Sequence, residues 1–230
     1  MNEIKKILTF IIAFCCLQIH AQDKSKNESS YQKVVTERAA KIVKSLNISD
    51  TLKAIIVRDI IANQYKKLND FHEVRKANLK TIVKDNPKSK ADSLSKIYTS
   101  DSENQLNQIH KDYLKSLRHE LSKEQIEGVK NGMTYSVFPN TFRAYQEMMP
   151  DLSKKQKKQL YNYLYEAREH AMDAESSDKK HAWFGKYKGR INNYLSKEGI
   201  DMKVVSLAWE KKIREREEAK KNATKSSVSN

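Results

Sequence analysis

Cysteine is confined to two adjacent positions near the start, Cys15 and Cys16. Everything downstream lacks a thiol, which excludes disulfides, redox pairs, cysteine nucleophiles and cysteine-ligated zinc there. Glycine and proline are scarce, at five and three residues. No glycine lies between Gln22 and Glu127, and Pro87 is the only proline in that stretch, so nothing punctuates a sheet or a series of tight turns. The longest apolar run, Ile7 to Leu17, falls well short of the roughly 20 residues that a membrane-spanning helix needs. The sequence has no serine-nucleophile elbow, phosphate loop or HExxH stretch, and His72, His110, His119 and His181 show no metal-ligand spacing. An enzyme is therefore the minority reading, and neither a cofactor nor a resident metal is expected.

What is present begins with Lys5 and Lys6, the apolar run, and the exit Ile19-His20-Ala21 before Gln22. This order is that of a secretory signal peptide spanning residues 1–21, cleaved near Ala21, and it predicts a periplasmic or secreted protein. Lipidation at Cys15 or Cys16 is the lesser alternative, because bulky Phe14 precedes the first and neither has the usual leucine three residues before it. On this reading the mature chain carries no cysteine. The membrane would be met only through the transient signal.

The formal net charge is +15, and little of it belongs to the leader. Export argues against nucleic acid, so the anionic partners that remain are acidic glycans, envelope lipids and acidic unfolded chains, drawn in by electrostatic steering. The plainer reading is that lysines coat solvated helix faces. The oligomeric state is not legible.

Apolar residues recur at helical spacing through Val34, Val35, Ala39, Ile42, Val43 and Leu46, and again through Leu52, Ile55, Ile56, Ile60, Leu68, Phe71, Leu79 and Ile82. Pro87 ends the second helix, and a third stripe follows from Leu94 to Leu117, with an expected weak point in the polar run Thr99 to Asn104. Four segments share an apolar residue before serine: Asn47 to Asp50, Glu120 to Lys123, Asp151 to Lys154 and Tyr194 to Lys197. Each predicts a helix start, because the serine oxygen accepts from free N–H groups of a first turn. Ser122 with Gln125 and Ser153 with Gln156 complete capping boxes.

The second half has another character. All five glycines lie at or beyond Gly128, and 11 of the 19 aromatic residues fall between Tyr135 and Tyr194. There the sequence predicts a loop over 136–140, a short helix over 141–149 closed by Pro150, a long helix over 154–174, a break at Ser176 to Asp178, a helix to about Tyr194, and a last helix opened by Asp201. The fold class is all-α: a multi-helix bundle with long N-terminal helices and a compact, aromatic-rich C-terminal half. A single helical domain over 22–220 is expected, with a subdivision point near 120 and a disordered polar tail over 221–230.

The densest segment is His181 to Tyr194. On a helix, Trp183, Tyr187, Arg190 and Tyr194 form one stripe, and Phe184, Ile191 and Leu195 form another that can face the core. Gly185 and Gly189 each cost about 1 kcal/mol relative to alanine inside a helix, which suggests close approach of another backbone or a ligand. Just before it, Glu166, His170 and Asp173 share a helix face. That triad could hold a metal or an acid–base pair, but an ordinary polar face is favoured. Aromatic rings beside Arg, Lys and Asn donors suit a carbohydrate or anion site. The candidate ligand-binding residues are Trp183, Lys186, Tyr187, Arg190, Asn193, Tyr194, His170 and Asp173, gathered in a cleft between the two helices. The competing reading buries Trp183 and Phe184 as core. If the stripe binds, at least one of its rings must stay open while Phe184 and Ile191 are buried.

From about Leu121 to Ile213 the chain resembles a family of secreted bacterial proteins, a domain of unknown function described as sugar-binding. The resemblance rests on Glu166 to Asp173 (EAREHAMD), on the run His181 to Ser196 ending GRINNYLS, and on Trp209. At Ile200-Asp201 the family pattern has an aromatic before the aspartate. The resemblance implies a helical envelope protein that binds saccharide, with no defined activity. More loosely, the Leu-Ser-Lys-x-Gln starts at Leu121 and Leu152 are similar to the Leu-Thr-x-x-Gln repeats of Spy-like periplasmic chaperones, which implies binding of unfolded or acidic clients by a broad basic and apolar surface on long helices.

Overall fold

The structure is a computed structural model that describes residues 28–228, with side-chain environments as far as 219. The signal-peptide expectation, with Cys15 and Cys16, lies outside the described residues. Eight helices and no strand occur among the described residues. They are α1 (described from 28 to 44), α2 (Thr51–Asp85), α3 (Lys88–Glu120), α4 (Lys123–Met133), α5 (Val137–Met148), α6 (Lys154–Met172), α7 (Ser177–Lys197) and α8 (Met202–Val228). No helix among them is long and apolar enough to cross a membrane.

The chain forms two compact units that divide between Val129 and Lys130, inside α4. The first is built on the hairpin of α2 and α3, turned at Asn86 and Pro87. α3 runs unbroken through the polar stretch where a weak point was expected, because it holds neither glycine nor proline. The core here takes Val35, Ala39 and Ile42 from α1, Val57, Ile61 and Leu68 from α2, and Tyr113, Leu114 and Leu117 from α3. Leu52, Ile55 and Ile56, part of the expected apolar stripe, are instead exposed. In this unit the glycine with a close neighbour is Gly128, where an added Cβ would lie 2.7 Å from a methyl of Leu46.

The second unit packs α5 and α7 against α6, with α8 touching α5 and α7. Its core is Phe138, Tyr145, Met149, Leu152, Leu160, Leu164, Ala167, Ala171, Phe184, Tyr187, Ile191 and Leu195.

Capping follows the serine grammar in part. Ser153 and Gln156 make the full box, the Ser153 side chain accepting from the Gln156 N–H and the Gln156 carbonyl from the Ser153 N–H. Ser122 and Gln125 make the same reciprocal pair. At the first site the cap is Asp50, one residue after Ser49, and Asn47 adopts a left-handed conformation that ends α1. At the fourth site the expectation fails: Ser196 sits in the last turn of α7, and the chain leaves through Gly199 at φ +86°. Asp201 then opens α8 by accepting from the N–H groups of Lys203 and Val204.

One further segment differs from expectation: residues 137–140 belong to α5, with Pro139 in the first turn, where its missing N–H leaves no bond unmade. α8 is described as far as Val228.

Candidate functional site

α6 and α7 run back on each other across the short break at 173–176. Ser176 caps α7 by accepting from the Lys179 N–H. Lys180, almost fully buried, donates to the carbonyls of Ala171 and Met172 at 2.9 and 3.0 Å, satisfying the open end of α6. This turn brings the two candidate segments side by side.

There the His170 ring lies parallel to the indole of Trp183, with centroids 4.3 Å apart and planes 12° apart. Tyr187 stands 6.2 Å from His170 and 6.4 Å from Trp183. Tyr163, which the sequence reading did not single out, bridges Tyr187 and Tyr194 at 6.5 and 6.3 Å. Cations flank the rings: the Lys186 ammonium is 4.7 Å from the Trp183 ring and the Arg190 guanidinium 4.4 Å from the Tyr187 ring. Arg190 also faces Glu166 at 3.8 Å, a loose exposed pair.

Phe184 and Ile191 are buried while Trp183 and Tyr194 remain partly open and Lys186, Arg190 and His170 are exposed. The geometric condition for an accessible stripe is thus met by two of its three aromatic rings. Tyr187 is the correction: at 1% exposure its ring belongs to the core, with the Arg190 guanidinium over it. Asp173 caps α6 and is nearly buried, acting on His170 through its charge. Asn193 is exposed, and it is its neighbour Asn192 whose side-chain carbonyl accepts a 2.9 Å hydrogen bond from the Tyr145 hydroxyl. The hydroxyl of Tyr194 is enclosed without a hydrogen-bond partner among the described residues.

The expectation for Gly185 and Gly189 is overturned in one respect. A Cβ at either would meet nothing within 4 Å, so no neighbouring helix needs them. Both lie on the exposed side of α7.

Burial sets the electrostatics. Desolvation lowers the His170 pKa, with Glu166 opposing and Lys186 reinforcing, so the stacked imidazole is neutral at pH 7. Tyr187 is pushed up to about 12, first by burial and then by its hydrogen bond to Glu166. No group of three or more His, Cys, Asp or Glu side chains among the described residues is arranged to hold a metal. The triad Glu166, His170 and Asp173 is occupied otherwise: by Arg190, by Trp183 and by the end of α6.

On the other flank of α6 the structure reveals what the sequence reading missed. Arg168 is completely buried, donating to the Asn131 side chain at 2.8 Å and stacking 4.8 Å from the Phe138 ring. The buried Lys130 ammonium is 2.8 Å from Glu169. One signal was available: Arg168 follows Leu160 and Leu164 at four-residue intervals, in phase with the core.

No curated protein matches the chain. Residues 32–215 match a family described as a protein of unknown function, DUF3826, which agrees with the expectation of a domain of unknown function. This helical chain therefore belongs to the DUF3826 family.

Proposed function

We propose that the protein is an exported saccharide-binding protein whose second unit presents Trp183 and its cationic neighbours to an acidic sugar. The observation that carries this reading is the His170–Trp183 stack, partly open and bordered by Lys186 and Arg190. A parallel imidazole holds the indole in one orientation, so that the open part of the ring is a fixed apolar face for the C–H side of a pyranose. Lys186 and Arg190 then supply charge-assisted hydrogen bonds to a sugar carboxylate, Arg190 by exchanging its loose contact with Glu166. The leader-like start supports export, and the basic charge supports an anionic ligand.

The test is a glycan array with the purified protein and its Trp183→Ala variant. Binding of acidic glycans by the parent, lost in the variant, is the expected result. Absence of binding by the parent overturns the reading.

A second reading, chaperone-like binding of unfolded clients, draws on the first unit, whose long helices leave Leu52, Ile55, Ile56, Val74, Val83 and Ile97 exposed. Suppression of client aggregation without glycan binding would favour it.

A further inference from the structure

α6 carries aromatic rings on two flanks, and the saccharide reading accounts for only one. At about 100° per residue, Leu160, Leu164, Ala167 and Ala171 turn to the core, and the exposed Lys158 and Asn162 mark the outer ridge. Tyr163, Glu166 and His170 fall on the flank toward α7. Tyr161, Tyr165 and Arg168 fall on the opposite flank, toward α5.

That second flank is built to keep its rings in place. Tyr161 is held edge-on by Phe138 and Phe142 at 5.1 and 5.7 Å. One helical turn on, Tyr165 lies 6.3 Å from it with the planes only 20° apart. The Lys130 ammonium and the Arg168 guanidinium both stand 5.3 Å from the Tyr165 ring. These cations are enclosed, whereas Tyr161 and Tyr165 are 42% and 38% exposed, so the pair is anchored from the protein side and open in part to solvent.

We infer that this flank is a second stacking face for the same ligand, and that the ligand is an acidic polysaccharide chain rather than a single sugar, crossing α6 to touch the Tyr161–Tyr165 pair and the Trp183 side at once. The inference rests on the saccharide reading above. The two faces lie on one rigid helix about 10 Å across, so a chain of a few sugar units spans them, and the second contact becomes an intramolecular one. The excess of basic residues matches the charge of such a chain.

Titration calorimetry with oligouronates of graded length, from two to about eight units, tests this. In the parent, affinity should rise steeply with length. A Tyr161→Ala/Tyr165→Ala variant should bind the shortest oligomer like the parent but lose the rise, so that the longest binds at least about tenfold more weakly. Trp183→Ala should weaken every length. Because Tyr161 also packs on Phe138 and Phe142, Tyr161→Leu/Tyr165→Leu, which keeps apolar bulk without an aromatic face, should give the same pattern with an unchanged melting temperature. If the leucine variant follows the parent at every length, or if parent affinity does not grow with length, the second face is overturned while the Trp183 reading stands. If the parent binds no oligomer of any length, both fall together.

Discussion

The ammonium of Lys180 sits 2.9 Å from the carbonyl oxygen of Ala171, and a second carbonyl, that of Met172, is 3.0 Å away. A cation at the C-terminus of α6 gives the Met172 carbonyl a donor, adds a second to the Ala171 carbonyl, which also accepts from the Ala174 N–H at 3.3 Å, and complements the negative end of the helix dipole. Lys180→Met keeps the apolar stem and removes the donor. It should destabilise the protein by about 2–3 kcal/mol, seen as a melting temperature lower by roughly 4–10 °C. A melt unchanged from the parent would show that the contact contributes nothing.

Since no atom of a neighbouring described element lies within 4 Å of a Cβ added at Gly185 or Gly189, alanine at either should stabilise α7. The gain should be near 1 kcal/mol each, the helix-propensity difference. Gly128→Ala should go the other way or give no gain, because its Cβ would press on the buried Leu46 methyl at 2.7 Å. Denaturant unfolding of the three variants decides the matter, and destabilisation at Gly189 would restore a close neighbour there.

Tyr145 and Tyr187 are both pushed up to about 12, chiefly by burial. The folded chain holds these protons more tightly than the unfolded chain, so their contribution to stability is complete below pH 10 and is lost as the pH rises from 10 through 12. Ultraviolet titration of the native protein should show Tyr145 and Tyr187 among the last tyrosines to ionise, coincident with alkaline unfolding. Tyr145→Phe should flatten part of the alkaline loss. All tyrosines ionising near pH 10 in the folded state would contradict this.

The lowered pKa of His170 has the opposite consequence. The unfolded chain takes up this proton first, so the stabilisation is present above about pH 6.5 and declines as the pH falls through the folded value. Nuclear magnetic resonance should place the His170 midpoint below 6.5, and Trp183→Ala, which opens the ring to water, should move it back up. A midpoint at or above 6.5 in the parent would remove the stacked, desolvated imidazole from the account of the site.

Tyr194 carries an enclosed hydroxyl without a partner among the described residues, so Tyr194→Phe should leave stability unchanged or raise it by up to about 1 kcal/mol. A loss greater than that, in a thermal melt, would mean that the hydroxyl is bonded in solution.

Local patterns determined much of this protein. Scarcity of glycine and proline, apolar spacing, and the capping side chains of Ser122, Ser153, Ser176 and Asp201 act within one or two turns of chain, and a reader of the sequence can follow them directly. The adjacency of His170 and Trp183 was legible for the same reason, because so short a break forces the two helices alongside each other. Only the tertiary structure decided which flank of each helix meets a neighbour. Tyr187 looked like a binding residue until α6 covered it, and Arg168, which the sequence reading did not single out, has its charge enclosed by Asn131 and the Phe138 ring. Ser196 carries the same local grammar as Ser153 yet ends a helix, since Gly199 turns the chain there. A helix period fixes the angle between side chains on one element, whereas what each angle faces depends on residues tens of positions away, and that information is spread over the whole fold.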